Sequence, residues 1–469
     1  MSRTLDPPDA LTGEGDEAYA KSLSNRQVRM IAIGGAIGVG LFLGAGGKLA
    51  ADGPGLILSY AVCGIAAFFV MRALGELVLH RPTAGSFVSY AREFIGPWAG
   101  FASGWLYWLN WAMTGVAETT AVGIYTHRWL PGVPQWIVAL AALVVLLTVN
   151  LLSVRLFGEL EFWFAVIKVL AIVTFLFVGL GLVLTGAGVG HEHASPSNLV
   201  SHGGFLPHGL PVVLMSLQAV VFAYSGIEMV GIAAGETRHP RRVLPKAING
   251  VIWRIGVFYV GSVVLLVMVL PWTAYGAGES PFVTVFTRLG VPGAGDIMNA
   301  VVLTAALSSC NSGLYATGRV MRALSVRREA PEFVGRMNDR HVPYGGILFT
   351  AVVLTFGVAL NYAVPKMAFD IATSVSSLGV VAVWATLLYC QLRLRAAANR
   401  GELTRPSFRM PGAPVTNWLT LGFLVVVVVL MAFAGDADRI AFWCLPVMVA
   451  VLFAGWRTVR RRGYSQTRR

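Results

Sequence analysis

Strongly apolar runs of roughly 18 or more residues recur along almost the whole chain, each long enough as a helix to cross a hydrocarbon core about 30 Å thick. Short polar stretches separate them. The pattern predicts about twelve spans, near residues 28–50, 54–80, 98–125, 134–153, 161–187, 210–235, 250–272, 293–318, 344–364, 368–392, 416–434 and 440–457. A β-barrel would show short segments of alternating apolar and polar residues instead. The expected fold class is therefore an all-α polytopic membrane protein.

Two of the runs are interrupted. The first, Ile31 to Gly47 (IAIGGAIGVGLFLGAGG), carries Gly34, Gly35, Gly38, Gly40, Gly44, Gly46 and Gly47. Glycine costs about 1 kcal/mol in a helix interior relative to alanine, and it lets a backbone break or approach a ligand closely. In a transporter, a hydrophobic segment interrupted by glycine points to the substrate site. Gly34/Gly38 and Gly40/Gly44 also fit the GxxxG spacing of helix packing. Gly38 to Gly40 are expected to be unwound, with Gly44, Gly46 and Gly47 left to packing and the helix end. The second interruption is Phe222-Ala223-Tyr224-Ser225-Gly226-Ile227 in the sixth run. Interrupted segments five spans apart are the pattern of a five-plus-five inverted repeat with helices 1 and 6 broken. Two further C-terminal helices complete the expected architecture.

Composition and charge agree with this class. The 469 residues are 56% hydrophobic and 13% charged, with mean hydropathy +0.68, whereas a soluble domain is about a quarter charged. The net charge of +13 reports topology rather than nucleic-acid binding. Its cations gather in alternate loops: Arg238, Arg241, Arg242 and Lys246, then Arg327, Arg328, Arg336 and Arg340, then Arg393, Arg395, Arg400, Arg405 and Arg409. The same set of loops also holds Arg81, Arg92, Arg155, Arg254, Arg319 and Arg322, while the intervening loops hold only Lys48, Arg128, Arg288, Lys366 and Arg439. By the positive-inside rule both termini are cytosolic, in a multi-pass protein of the cytoplasmic (inner) membrane.

The expected organisation is a flexible cytosolic tail over residues 1–25, a transport core over 26–395, a cytosolic loop over 396–415, two helices over 416–457 and a basic cytosolic tail over 458–469. Residues 1–25 lack an apolar core, so no cleavable signal is expected there. Cys63, Cys310, Cys390 and Cys444 lie in apolar runs without a CxxC pair, so neither disulfides nor a metal site is expected. His191 and His193 fall in a Gly/Ser/Pro-rich stretch, Gly188 to Gly209, read as an exposed outer loop rather than a zinc site.

Ionisable groups inside spans are costly and mark function by default. Lys168 in the fifth run suits a group that loads and unloads a proton. It is otherwise a cation snorkelling to the interface or capping broken-helix carbonyls. Glu118 in the third run and Glu228 in the sixth carry protons or bond a neighbouring helix. Arg72 and Glu76 read as a local i,i+4 ion pair. Ser308, Ser309, Asn311 and Ser312, and further on Ser374, Ser376 and Ser377, contact substrate or ion, or else serve helix packing.

Several stretches together resemble the amino acid permeases of the amino acid–polyamine–organocation superfamily, in particular its bacterial amino acid transporter family. They are LSNRQVRMIAIGGAIGVGLFLGAG, PTAGSFVSYAREFIGPWAGFASGW, EFWFAVIKVLAI, FAYSGIEMVGIAAGETRHPRRVLPKAI and SSCNSGLYATGR. The resemblance runs from about Leu23 to about Gly463. PSFRMPGAPVTNWLTLGFLVVVVVLMAF further resembles the asparagine permeases of that family. The resemblance implies two inverted repeats of five helices plus two more, and proton-coupled uptake of an amino acid. It places the substrate carboxylate on Ala36, Ile37, Gly38, Val39 and Gly40, where free N–H groups and a half-helix N-terminus attract an anion. It places the ammonium on carbonyls of Phe222, Ala223, Tyr224 and Ser225, next to Gly226. The lysine matching Lys168 stands where sodium-coupled relatives hold sodium, which favours protons. Val39 replaces the small Ser or Ala of many relatives and reshapes the pocket wall.

The reading is a symporter for protons and a small amino acid, L-asparagine by resemblance. The alternatives are another substrate (GABA, an aromatic or a small neutral amino acid) or an exchanger. No cofactor, metal or nucleic acid is expected as a partner beyond substrate, protons and the lipid bilayer, and no feature sets an oligomeric state. An enzyme is disfavoured because HExxH, GxSxG and a nucleophile beside a base are all lacking. Gly38-Val39-Gly40 has no βαβ context, and the tails are too short for a sensor's signalling domain.

Overall fold

The computed structural model describes residues 37–82, 86–152, 154–229, 245, 248–250, 253 and 255–466. The tail expected over residues 1–25, Ala36, and the cations Arg238, Arg241, Arg242 and Lys246 lie outside the described residues.

The described chain is almost wholly helical. A π-helical turn, Gly40–Gly44, leads into α1 (Ala45–Asp52). A 3-10 turn at Gly53–Gly55 joins it to α2 (Leu56–His80), and Gly53 makes the bend at φ 62°, a conformation open to glycine without a Cβ clash. Then come α3 (Ser86–Phe94), α4 (Pro97–His127), α5 (Gln135–Leu152) and α6 (Val154–Thr185). Two short helices follow, α7 (Leu210–Met215) and α8 (Leu217–Ala223). After a π-helical turn at Ile255–Val260 come α9 (Gly261–Val269), α10 (Pro281–Arg288), α11 (Ala294–Val326) and α12 (Tyr344–Ala363). The chain closes with α13 (Ala368–Asn399), α14 (Val415–Met431) and α15 (Asp436–Gln466).

Among the described residues, 8 helical segments are long and apolar enough to cross a membrane, Gly40–His80 being the first and Asp436–Arg461 the last in the chain. Leu210–Ala223 and Val415–Met431 are shorter apolar helices. This is a polytopic helical membrane protein. The outer faces fit lipid: Phe177, Leu184, Phe356, Trp443 and Val447 are all exposed, where hydrocarbon rather than water solvates them. The 31-residue α4 differs in burying Asn110, Thr114, Glu118, Thr119 and Thr120, and these polar groups keep its hydropathy low. It packs along α11 and α13, so its polar face is turned to protein.

Several boundaries differ from the apolar pattern. The helix expected from residue 161 begins at Val154, and those expected to end at 318, 392 and 457 run on to Val326, Asn399 and Gln466. Hydropathy sees only the part of a helix that lies in hydrocarbon, whereas backbone hydrogen bonding continues into polar residues. The stretch from Gly188 is not wholly loop. Gly188–Val189 pairs antiparallel with Glu192–His193 in a small hairpin. Among the described residues no group of three or more His, Cys, Asp or Glu is placed to hold a metal.

The i,i+4 pair expected at Arg72 and Glu76 is replaced by longer-range partners. Arg72 donates to Asn249 Oδ1 (2.9 Å) and to the Arg409 carbonyl (2.5 Å), with its guanidinium 3.7 Å from the Phe408 ring centre. Glu76 is fully buried. It accepts from Arg405 Nε, Gln391 Nε2 (2.9 Å) and the Met410 N–H (2.9 Å). The stretch between α13 and α14 is thereby clasped to the C-terminal end of α2. It supplies several donors at once, which a single neighbour one helical turn away does not.

Candidate functional site

The interrupted segments meet. Among the described residues, Ile37 and Gly38 precede regular helix, which begins at Val39 (φ −64°, ψ −18°). Unwinding expected through Gly40 therefore stops at Gly38, and Gly40 already belongs to the π-helical turn. Further on, α8 ends at Ala223 and residues 224–228 form turns, with Gly226 at φ 90°. That positive φ is where a glycine is required and where a helix stops. Gly40 sits against Ala223 so closely that a Cβ on it would lie 2.5 Å from the Ala223 Cα. The outer Gly46 packs on the loop that precedes α10: a Cβ there would lie 3.2 Å from the Gly276 carbonyl oxygen.

Between these segments and α4 lies a small polar cavity lined by Gly38, Gly40, Trp111, Thr114, Glu118, Phe222, Ala223, Ser225 and Ser309. Its volume is about 10 Å³, about the space one water molecule needs. Glu118 is buried beside Gly38; a Cβ on Gly38 would stand 2.9 Å from Glu118 Oε1 and 3.3 Å from Ser309 Oγ. Glu118 Oε2 and Ser225 Oγ have no hydrogen-bond partner among the described residues. Thr114 Oγ1 is 2.9 Å from Ser376 Oγ, which donates to Asn110 Oδ1.

The remaining predicted residues divide. Ala36 lies outside the described residues. Ile37 and Val39 are buried, and they do not line the cavity. Tyr224 turns its side chain away, donating to the Tyr60 carbonyl (2.9 Å) and stacking on Tyr259. Glu228 is buried beyond the break, beside Trp384 and Tyr107 rather than on the cavity wall. Lys168 is fully buried and donates to Ser308 Oγ at 2.9 Å, so it does not snorkel. It is linked to the cavity through the adjacent Ser309. Asn311 accepts from Asn150 Nδ2 (2.8 Å) and ties α11 to α5. Ser374 bridges Gln218 Nε2 (2.9 Å) and Asp438 Oδ1 (2.7 Å), a link between helices rather than a pocket contact.

Two cavity residues, Trp111 and Thr114, are additions to the predicted set. With Glu118 they are spaced i, i+3, i+7, so one face of α4 carries all three. That spacing was the available signal. Glu161 is a further addition: fully buried, it accepts from Ser308 Oγ at 2.7 Å and lies 3.9 Å from Lys168 Nζ.

A helical membrane protein with a polar cavity where two interrupted segments meet is built as a carrier of small solutes. Residues 27–468 match the amino acid permease family, and the chain belongs to that family. It is a transporter rather than an enzyme. The chain is similar to the L-asparagine permease of Escherichia coli (strain K12), at 56% identity over 449 residues covering 95% of this chain and 90% of the relative. It is 55% identical to L-asparagine permease 1 of Mycobacterium tuberculosis (strain ATCC 25618 / H37Rv) over 452 residues, covering 96% and 92%. To the L-asparagine permease of Streptomyces coelicolor (strain ATCC BAA-471 / A3(2) / M145) it is 51% identical over 458 residues, covering 97% and 93%.

Proposed function

We propose that the protein takes up L-asparagine together with protons across the cytoplasmic membrane. The substrate assignment rests on relatives named for asparagine at 51% to 56% identity over nearly the full chain. The proposed architecture is twelve spans in a five-plus-five inverted repeat with two added helices, and both termini in the cytosol.

The observation that carries proton coupling is the position of Glu118 beside Gly38. A substrate carboxylate held by the N–H groups of Gly38, Val39 and Gly40 meets the Glu118 carboxylate at close range. Two unit charges about 4 Å apart repel by about 4 kcal/mol at an effective dielectric of about 20. A proton on Glu118 removes that repulsion and turns its carboxyl into a donor. Substrate and proton therefore bind together. The ammonium group goes to carbonyls of Phe222, Ala223, Tyr224 and Ser225 at the end of α8, where that of Phe222 also accepts from the Ser225 N–H at 2.9 Å. Lys168, one residue pair away through Ser308 and Ser309, exchanges the proton with the inner side. An amino acid is far larger than a cavity of about 10 Å³, so the interrupted segments must part from α4 to admit it. That motion is alternating access.

Uptake of labelled asparagine into proteoliposomes, with a competitor panel, tests this. Accumulation driven by an inward-directed pH gradient, and displaced by asparagine before other amino acids, is expected. Counterflow that ignores the gradient overturns the coupling and makes the protein an exchanger. Failure of asparagine to compete overturns the substrate.

A further inference from the structure

Three fully buried side chains are joined by hydrogen bonds near the cavity. Lys168 Nζ donates to Ser308 Oγ at 2.9 Å, and Ser308 Oγ donates to Glu161 Oε1 at 2.7 Å. The direct separation of Lys168 and Glu161 is 3.9 Å, so the hydroxyl stands between them. Glu161 Oε2 has no hydrogen-bond partner among the described residues. A serine is not needed merely to hold an ion pair together, because a direct ammonium–carboxylate contact is shorter and stronger. A hydroxyl that accepts from one ionisable group and donates to another is a path for a proton.

The geometry points to Glu161 as the proton acceptor for Lys168, with Ser308 carrying the proton between them. This inference rests on the proton-coupled reading above. In the step, one N–H bond of the Lys168 ammonium breaks as an O–H bond forms on Ser308. The original Ser308 O–H bond breaks as an O–H bond forms on Glu161 Oε1. An ammonium and a carboxylate become an amine and a carboxylic acid, Ser308 is unchanged, and no net charge leaves the pair. Removing both charges at once avoids leaving either one uncompensated in a buried site. The neutral pair is the form suited to a change of conformation.

The direction of transfer follows from position on the helix. Glu161 precedes Lys168 by two turns of α6, about 10 Å along its axis, toward the end that faces the cytosol in the proposed topology. Glu118 on α4 faces the Lys168 end of the relay, with Cys310 on α11 near it. Below the Glu161 end, Phe157 stacks on Tyr315 of α11 at 4.0 Å between ring centres, and the Arg319 guanidinium covers the Tyr315 ring at 3.6 Å. Glu159 lies on the same helix, two residues before Glu161. Phe157 lies one turn before Glu161 on α6, so in the proposed topology the stack stands on the cytosolic side of the relay.

Ser308→Ala and Glu161→Gln test the relay in proteoliposomes made with the full chain. In both, stimulation of asparagine uptake by an inward pH gradient is expected to fall to about one-fold, and the dependence of uptake on pH to flatten. Ser308→Thr keeps the hydroxyl and is expected to keep the stimulation. A merely structural role lowers uptake by the same factor at every pH, and that result overturns the relay. So does a full response to the gradient in both Ser308→Ala and Glu161→Gln when the wild type responds. A wild type that exchanges asparagine and ignores the gradient overturns the proton-coupled reading itself, and the relay with it. Thermal melts in detergent confirm that the compared proteins are folded. If Ser308→Ala fails to fold, Glu161→Gln alone decides the question by its pH profile.

Discussion

Gly40 backs directly onto Ala223, two backbones in contact between the start of the first described helical run and the end of α8. No side chain fits between them. Gly40→Ala forces the segments apart, and overpacking of this kind costs about 1–3 kcal/mol. Asparagine uptake is expected to fall by about fivefold to a hundredfold, since each 1.4 kcal/mol is worth a factor of ten. Gly44→Ala is the control: a Cβ there meets only the Val39 carbonyl oxygen, at 3.9 Å. Uptake by the two variants, measured side by side, separates close approach of the backbones from simple GxxxG packing, which loses activity with either change.

Glu118→Gln imitates a permanently protonated Glu118. Wild-type affinity for asparagine is expected to weaken as pH rises, because the carboxylate beside Gly38 then repels the substrate carboxylate. In the variant, binding is expected to be flat across the same range and gradient-driven accumulation to be lost. Equilibrium binding of labelled asparagine across pH measures this. A variant as pH-dependent as the wild type refutes the role of Glu118.

Lys168→Ala removes one member of a buried pair and leaves Glu161 uncompensated. Breaking such a pair costs about 3–5 kcal/mol, so the melting temperature is expected to drop along with gradient-driven accumulation. The double variant K168A/E161Q leaves no unpaired charge and is expected to melt higher than K168A alone. A double-mutant cycle on the melting data yields their coupling. A K168A protein that still concentrates asparagine in response to the gradient rules out Lys168 as the coupling residue.

Glu76→Gln loosens the clasp at the C-terminal end of α2. The variant keeps the shape and loses the charge that Arg405, Gln391 and the Met410 N–H all bond. The stretch of residues 400–415 is expected to become more sensitive to protease, with a lower melting temperature. An unchanged digestion pattern shows that the clasp does not hold this stretch.

What the amino-acid sequence determined by itself was the membrane-spanning helical character and the interruption of the sixth apolar run after Ala223. Both are local properties. A backbone in hydrocarbon must satisfy its own hydrogen bonds within the segment, so apolar length alone marks a span. Glycine acts at its own position: Gly226 takes a positive φ in the turns that follow α8, a conformation open to it in any packing. Glu118 and Lys168 were legible because a charge in an apolar run is conspicuous in any packing.

The tertiary structure decided the partners. Arg72 and Glu76 have a spacing suited to each other, yet they are taken by residues far along the chain, Arg409 and Arg405. Trp111 and Thr114 look like any residues of an apolar helix until α4 turns them toward Gly38 and Ser225. Glu161 gains meaning only through Ser308, 147 positions away. Which buried polar groups meet depends on how whole helices pack, and the energy of each meeting depends on distances of a few ångströms that no spacing along the chain encodes.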